Sequence, residues 1–374
     1  MKPRYLPVSL TPLLAASLAP RPQEAWWAKL SAAPPRYAEL CSSARDALAI
    51  VLRALGPPGS VLVPAYTCPS VFAMLRGIGE RPLPVDLDPE GGGFDPDGFH
   101  KALSPSLKAV LLTHLFGRAP DRDWIIAQAD RMGVPVIEDC ALVIDPAVST
   151  RGVTARILSF GRGKPLAFGA GGALLAYDER LAGRLPVHCS EPRPRRGLLW
   201  LLKGALRDSS LALRLASYRA QRGHGAEPAE PPFALHLPTR RFQQVLGHRL
   251  ASRELDTRRE LMRSALEALQ KRAEPITGRE RMPGWRIPEE ALVPAFAFRV
   301  RGRDQARQSL RREGIDCPRY WDFDCFPKDF LASFPGAREL ALSLLFVPIP
   351  PLLRPRPGLR LIEALADCDP QPFA

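Results

Sequence analysis

Two residues in one stretch have types and a spacing that could do chemistry together. The apolar run Val134-Pro135-Val136-Ile137 ends in two carboxylates, Glu138 and Asp139. Lys164 follows a second apolar run, Ile157-Leu158-Ser159-Phe160, inside Gly161-Arg162-Gly163-Lys164. Glycines beside a lysine let the backbone approach a ligand closely. A lysine amine can condense with an aldehyde to give a Schiff base. An aspartate at a strand end can hold a proton on an aromatic ring nitrogen. The chain has eight lysines, and Lys164 alone has this setting. A Walker-type phosphate loop is excluded, because it needs a Gly six residues before the Lys and Ser or Thr after it. Those places hold Leu158 and Pro165.

An amine and a carboxylate in these roles are the signature of pyridoxal 5'-phosphate, which uses the protonated ring as an electron sink. The same residues admit a plainer reading, in which Lys164 is a solvated turn lysine and Asp139 a helix N-cap. The wider stretch decides between them. Glu138-Asp139-Cys140-Ala141-Leu142, then Ser159-Phe160-Gly161-Arg162-Gly163-Lys164, then Gly169-Ala170-Gly171-Gly172 resembles the cofactor core of the DegT/DnrJ/StrS-type sugar aminotransferases, a branch of the fold-type-I pyridoxal-phosphate enzymes. That core reads E-D-A-A-[QH], S-F-x-x-x-K and G-x-G-G. The resemblance covers about residues 40 to 180 well and the remainder loosely. It implies a homodimer whose active site is shared between subunits.

The elements that must position these residues are legible on both sides. Short apolar runs bounded by glycine and charge read as buried strands, and helical patterns alternate with them. The expected fold is α/β, with a large doubly wound, mostly parallel sheet and a smaller C-terminal α/β domain. Ser42 to Leu55 reads as a serine-capped helix ended by Gly56-Pro57-Pro58-Gly59. A helix N-terminus is a natural anion site. The resemblance aligns Ser43-Ala44-Arg45 with the family's S-G-T, whose backbone amides bind the cofactor phosphate. It therefore implies that Ala44, Arg45 and Ser159 hold that group. Val61 to Cys68 reads as strand then loop and is similar to the family's V-P-A-[FY]-T-x. The family commonly stacks an aromatic on the ring after the Thr, and this chain has Cys68 there. Tyr66 and Cys68 thus join the cofactor-binding set, with Tyr66 equally readable as a core aromatic. His114, on the strand from Ala109, reads as structural. No CxxC pair or metal-ligand spacing occurs, so no metal site is expected.

At 374 residues with a formal charge of +13, the chain suits two domains. Boundaries are expected at an N-terminal segment 1–35 packed on the large domain, the cofactor domain 36–235, and the C-terminal domain 236–374. Residues 191–225 interrupt the cofactor domain with mixed Leu/Trp and Arg/Lys. Their amphipathic pattern suits either a membrane-surface contact through 197–222 or packing on the enzyme or its dimer partner, the second being favoured. The positive charge suits anionic small molecules. No nucleic-acid motif is present, and seven scattered cysteines suit a reducing, cytoplasmic setting. Val8 to Ala19 could resemble a signal peptide, but Thr11 and Pro12 break it.

What the resemblance implies about activity is transfer of an amino group, with glutamate as donor and a nucleotide-linked keto sugar as acceptor, in polysaccharide biosynthesis. Lys164 would be the catalytic lysine and Asp139 its catalytic partner at the ring nitrogen. Leu142 stands where the family has Gln or His. That leaves a dehydratase-like or non-transaminating member as one alternative. A basic scaffold that binds a membrane or nucleic acid without catalysis is the other.

Overall fold

The computed structural model describes residues 26–89, 92–117, 121–161, 163–186, most of 235–260, 262–264, 291–312, most of 317–348, and 370–371. The basic segment 191–225 and the stretch 1–25 lie outside them.

Seven strands form the main sheet: β1 (Tyr37–Cys41), β2 (Ser60–Pro64), β3 (Arg81–Val85), β4 (Leu107–Thr113), β5 (Val136–Cys140), β6 (Ala155–Ser159) and β7 (Gly172–Ala176), in the order β1-β7-β6-β5-β4-β2-β3. Strands β3, β2, β4, β5 and β6 run parallel. The hairpin partner β7 and the edge strand β1 are antiparallel to their neighbours. Helices α1 (Ala44–Ala54), α2 (Pro69–Gly77), α3 (Pro96–Ala102), α4 (Arg122–Arg131) and the single-turn α5 (Glu179–Ala182) follow strands and loops in the usual crossover manner.

Burial explains the sequence pattern. The central strands β2, β5, β6 and β7 are buried at every position, as expected of strands covered on both faces. On one face Ala109, Leu111, Ile137, Ile157 and Leu174 pack beneath α1 and α2. On the other, Val110, Leu112 and Val136 meet Phe99 of α3 and Ile125 and Ala129 of α4. Trp26 and Leu30 pack on Leu40, Leu158 and Phe160, so the end of the N-terminal segment lies against the large sheet.

Edge strand β3 carries Pro82 and Pro84. The N–H of Arg81 donates to Gly59 O at 2.8 Å, toward the sheet. By alternation, positions 82 and 84 face outward, where proline has no N–H to offer.

Helix α6 (Arg240–Ala251) crosses back over β1, where Gln243 donates to Glu39 and to Leu40 O. The C-terminal part builds a three-stranded antiparallel sheet from β8 (Ala295–Val300), β9 (Leu344–Pro348) and β10 (Pro370–Gln371), with helices α7 (Arg303–Arg312) and α8 (Pro335–Ser343). Asp86 ties it to the large sheet by accepting from the N–H groups of Gly336 and Ala337, at 3.0 and 2.8 Å, in the first turn of α8. Gly336 has no alternative there, since a methyl group on it would lie 1.7 Å from Leu87 O.

Candidate active site

The expected residues gather where β5, β6 and β7 meet the start of α1. Asp139 is the penultimate residue of β5 and is 8% exposed. Its Oδ1 accepts the Ala141 N–H at 3.0 Å, which fixes the carboxyl at the strand end. Because successive side chains alternate across a strand, Asp139 faces away from Glu138 and Cys140.

Ser159 ends β6 and pairs with Gly172, the first residue of β7. A methyl group on Gly172 would lie 2.5 Å from Ala44 N and 2.6 Å from the Ser43 carbonyl carbon. Only glycine lets the α1 N-terminus settle against the sheet at that point. The chain therefore brings the start of β7, the register partner of Ser159, against the helix start. Ser43 caps α1, accepting the Asp46 N–H at 3.2 Å while its hydroxyl donates to Asp46 Oδ2 at 2.7 Å. A dipole end of this kind favours an anion.

Lys164 sits in the turn between β6 and β7. That turn is closed by a bridge between Gly161 and Gly169, and Gly163, Gly169 and Gly171 have positive φ of 71°, 95° and 102°. A methyl group on Gly161 would lie 3.7 Å from Ser159 Oγ and 4.0 Å from Lys164 Cγ, so serine and lysine flank the same open glycine. Lys164 is half-buried. Burial, with a contribution from the Arg45 cation, holds its amine below the usual lysine range, while Asp139 and Cys68 pull the other way. Burial pushes the Asp139 carboxyl up, against the Ala141 N–H and the charges of Lys164 and His114. Lys164, Asp139, Arg45 and Cys68 thus feel one another electrostatically, and a buried amine released from full protonation is a better nucleophile and base.

The remaining expected residues fall around this centre. Cys68, just before α2, is half-buried, with its Sγ 3.1 Å from Ser70 Oγ. Tyr66 is only 1% exposed, and its ring meets Trp321 edge-on at 5.5 Å and Phe326 at 6.0 Å. Its surroundings are those of a core aromatic. Leu142 is buried at 4%. Between Tyr66 and Cys68, the fully buried Thr67 has an Oγ1 with no hydrogen-bond partner, and Thr113 Oγ1 at the end of β4 has none either. Thr113 is the register partner of Asp139. Unpaired buried hydroxyls at two strand ends are what a polar ligand there would satisfy. The donor set fits pyridoxal phosphate: an amine, a carboxyl, a hydroxyl and a helix start for its phosphate, and free hydroxyls between.

Sequence reasoning passed over a buried ionic cluster on the opposite face of β5. Glu138 is fully buried. Its Oε2 accepts from Arg156 Nε and Nη2 at 2.9 and 2.8 Å, and its Oε1 accepts from Arg122 Nε at 2.5 Å and lies 3.1 Å from His114 Nε2. Despite the cost of burial, these cations hold the Glu138 carboxyl well below the usual range. Burial also opposes the His114 cation, but Cys140 and Glu138 outweigh it and raise the imidazole to about 10. His114, Glu138 and Cys140 donor atoms lie within 4.8 Å of one another. Both Glu138 oxygens already accept from cations, so the group is an ion-pair cluster in which a metal ion would have to displace a guanidinium. The one available signal was Arg156 inside the apolar run of β6.

Residues 34–195 match the model of the DegT/DnrJ/EryC1/StrS aminotransferase family. The chain is 28% identical over 345 residues to dTDP-3-amino-3,4,6-trideoxy-alpha-D-glucose transaminase of Streptomyces venezuelae, covering 87% of this chain and 81% of that protein. It is 35% identical over 154 residues to UDP-2-acetamido-2-deoxy-3-oxo-D-glucuronate aminotransferase of Pseudomonas aeruginosa, a match that spans 39% of this chain and 43% of the relative. The crystal structure of S. venezuelae DesV superposes with a TM-score of 0.66 at 23% identity, covering 96% of this chain and 94% of that one. That last likeness is one of fold.

Proposed function

Since the chain belongs, through residues 34–195, to the DegT/DnrJ/EryC1/StrS aminotransferase family, whose members are pyridoxal-phosphate-dependent, we propose that it moves an amino group from glutamate to a keto group on a nucleotide-linked sugar. The observation that carries this reading is the joint placement of Lys164, Asp139, Ser159 and the α1 start around one glycine-rich turn. Bound there, pyridoxal phosphate supplies an electron sink conjugated to the carbon that exchanges its proton. Lys164 would hold the cofactor through its amine and would be the group placed to move a proton as base and acid in turn. Asp139 would keep the ring nitrogen protonated. The Ser159 hydroxyl and the N–H groups of Ala44 and Arg45 would hold the phosphate, with the Arg45 cation adding charge. Cys68 stands, by the resemblance, where the family commonly has an aromatic to stack on the ring. The sugar class is proposed from the two relatives, both of which act on nucleotide-linked sugars by name. An active site shared across a homodimer in the cytoplasm completes the reading.

The test is the visible spectrum of purified protein with pyridoxal phosphate. A band at roughly 400–430 nm is expected, absent in Lys164→Ala and bleached by glutamate. A band that glutamate leaves untouched would favour a non-transaminating member, in keeping with the apolar Leu142. No band in either protein would refute the enzyme reading.

A further inference from the structure

One hydroxyl beside Asp139 is left unsatisfied by the fold. Thr113 ends β4 and is the register partner of Asp139 on β5. Paired residues of parallel strands point to the same face. Two positions back, Leu111 and Ile137 are paired in the same way, and both join the core beneath α1 and α2, so Thr113 and Asp139 share that face. Thr113 is half-buried, but its Oγ1 is fully buried and has no hydrogen-bond partner among the described residues. A threonine hydroxyl can bond to its own neighbouring backbone, and this one does not. Burying a hydroxyl without a partner is unfavourable, so its place next to the Asp139 carboxyl points to a partner from outside the chain.

In the cofactor reading proposed above, on which this inference rests, three polar groups of pyridoxal phosphate have partners on this chain. The ring nitrogen has Asp139, the aldehyde carbon has Lys164, and the phosphate has Ser159 and the α1 start. The 3-oxygen of the ring has none. Neighbouring strands lie roughly 4.8 Å apart, a span that a six-membered ring and one substituent bridge. Leu142 is buried and apolar and offers that oxygen no donor. Thr67 Oγ1 is also without a partner, but Thr67 is wholly closed to the surface and lies beyond the end of β2, with no strand partner in the site. We propose that Thr113 is a cofactor-binding residue whose hydroxyl donates to the ring 3-oxygen of pyridoxal phosphate. Contacts from two neighbouring strands then fix the rotation of the ring as well as its position, which keeps the reacting carbon in front of Lys164.

The experiment strips the full-length chain of cofactor and measures its affinity for pyridoxal phosphate and for 3-deoxypyridoxal 5'-phosphate by calorimetric titration. Wild type is compared with Thr113→Val, which exchanges the hydroxyl for a methyl of nearly the same shape, and with Thr113→Ser, which keeps the hydroxyl. Thr113→Val should bind pyridoxal phosphate about tenfold more weakly and the 3-deoxy analogue within about twofold of wild type. Thr113→Ser should stay within about threefold of wild type for both. The second readout is the urea midpoint of the cofactor-free chain. Because Thr113 Oγ1 has no partner there, the midpoint of Thr113→Val should equal or exceed that of wild type. The same substitution thus spares the chain without cofactor and weakens only its hold on the complete ring. Should Thr113→Val not fold, Thr113→Ala gives the same comparison of the two ligands. A Thr113→Val that binds both compounds as wild type does overturns the proposal, since water would then satisfy the hydroxyl. Equal loss for both compounds overturns it as well, and so does a lower urea midpoint, which would mean a partner within the chain. Failure of wild type to bind either compound is the distinct failure of the cofactor reading, and this proposal falls with it.

Discussion

At the scale of the residue, the site and the buried cluster make opposite demands on charge. Asp139 must stay available to a ring nitrogen. Replacing it with Asn keeps size and the Ala141 contact but removes the charge, and kcat should fall about a hundredfold or more while the fold, by circular dichroism, is unchanged. His114 gives a stability prediction. Its folded pKa of about 10 lies above the ordinary 6.5. The stabilisation is therefore fully present below pH 6.5 and is lost as pH rises toward 10. Lys164, depressed by burial, contributes with the opposite slope over the alkaline range, so the useful quantity is the difference between wild type and His114→Gln. Denaturant midpoints at several pH values should converge as pH rises from 6.5 to 10. A constant gap would mean that His114 is neutral in the folded chain. Asp139 and Lys164 were readable from sequence because a charged residue that ends an apolar run stands out. Arg156 was not, because its burial makes sense only once Glu138, eighteen residues away, is placed opposite it. The partnerless hydroxyls of Thr67 and Thr113 could not be read at all, since the lack of a partner is a property of three dimensions.

At the scale of the element, Gly172 is the pivot. Its absent side chain lets β7 and the α1 start touch at the position paired with Ser159. Gly172→Ala should drive the helix start outward. We expect a loss of about 1–3 kcal/mol in stability, read by urea denaturation, and a weaker hold on pyridoxal phosphate than on pyridoxal lacking the phosphate. The parallel strands and the capped helix α1 followed from apolar runs and caps. Strand β1 was not legible. Its five residues include Glu39, and that buried carboxylate finds a donor in Gln243, on a helix two hundred positions later. The antiparallel setting of β7 also escaped sequence, because a buried run of five apolar residues reads the same in either direction.

At the scale of the whole molecule, the two sheets are joined through Asp86, which caps α8 from the end of β3. Asp86→Ala should cost about 1 kcal/mol as a lost cap. Because the cap links the two parts of the chain, it should also raise KM more than it lowers kcat, measured by steady-state kinetics. The outer edge of the large sheet has a consequence for how the protein behaves in a crowded solution. A strand edge with free N–H groups invites a stranger's backbone to add on, and repetition of that event is how filaments begin. Pro82 and Pro84 leave the β3 edge with no donors to offer. Open-ended ribbon growth, copy added to copy along that edge, is thereby discouraged.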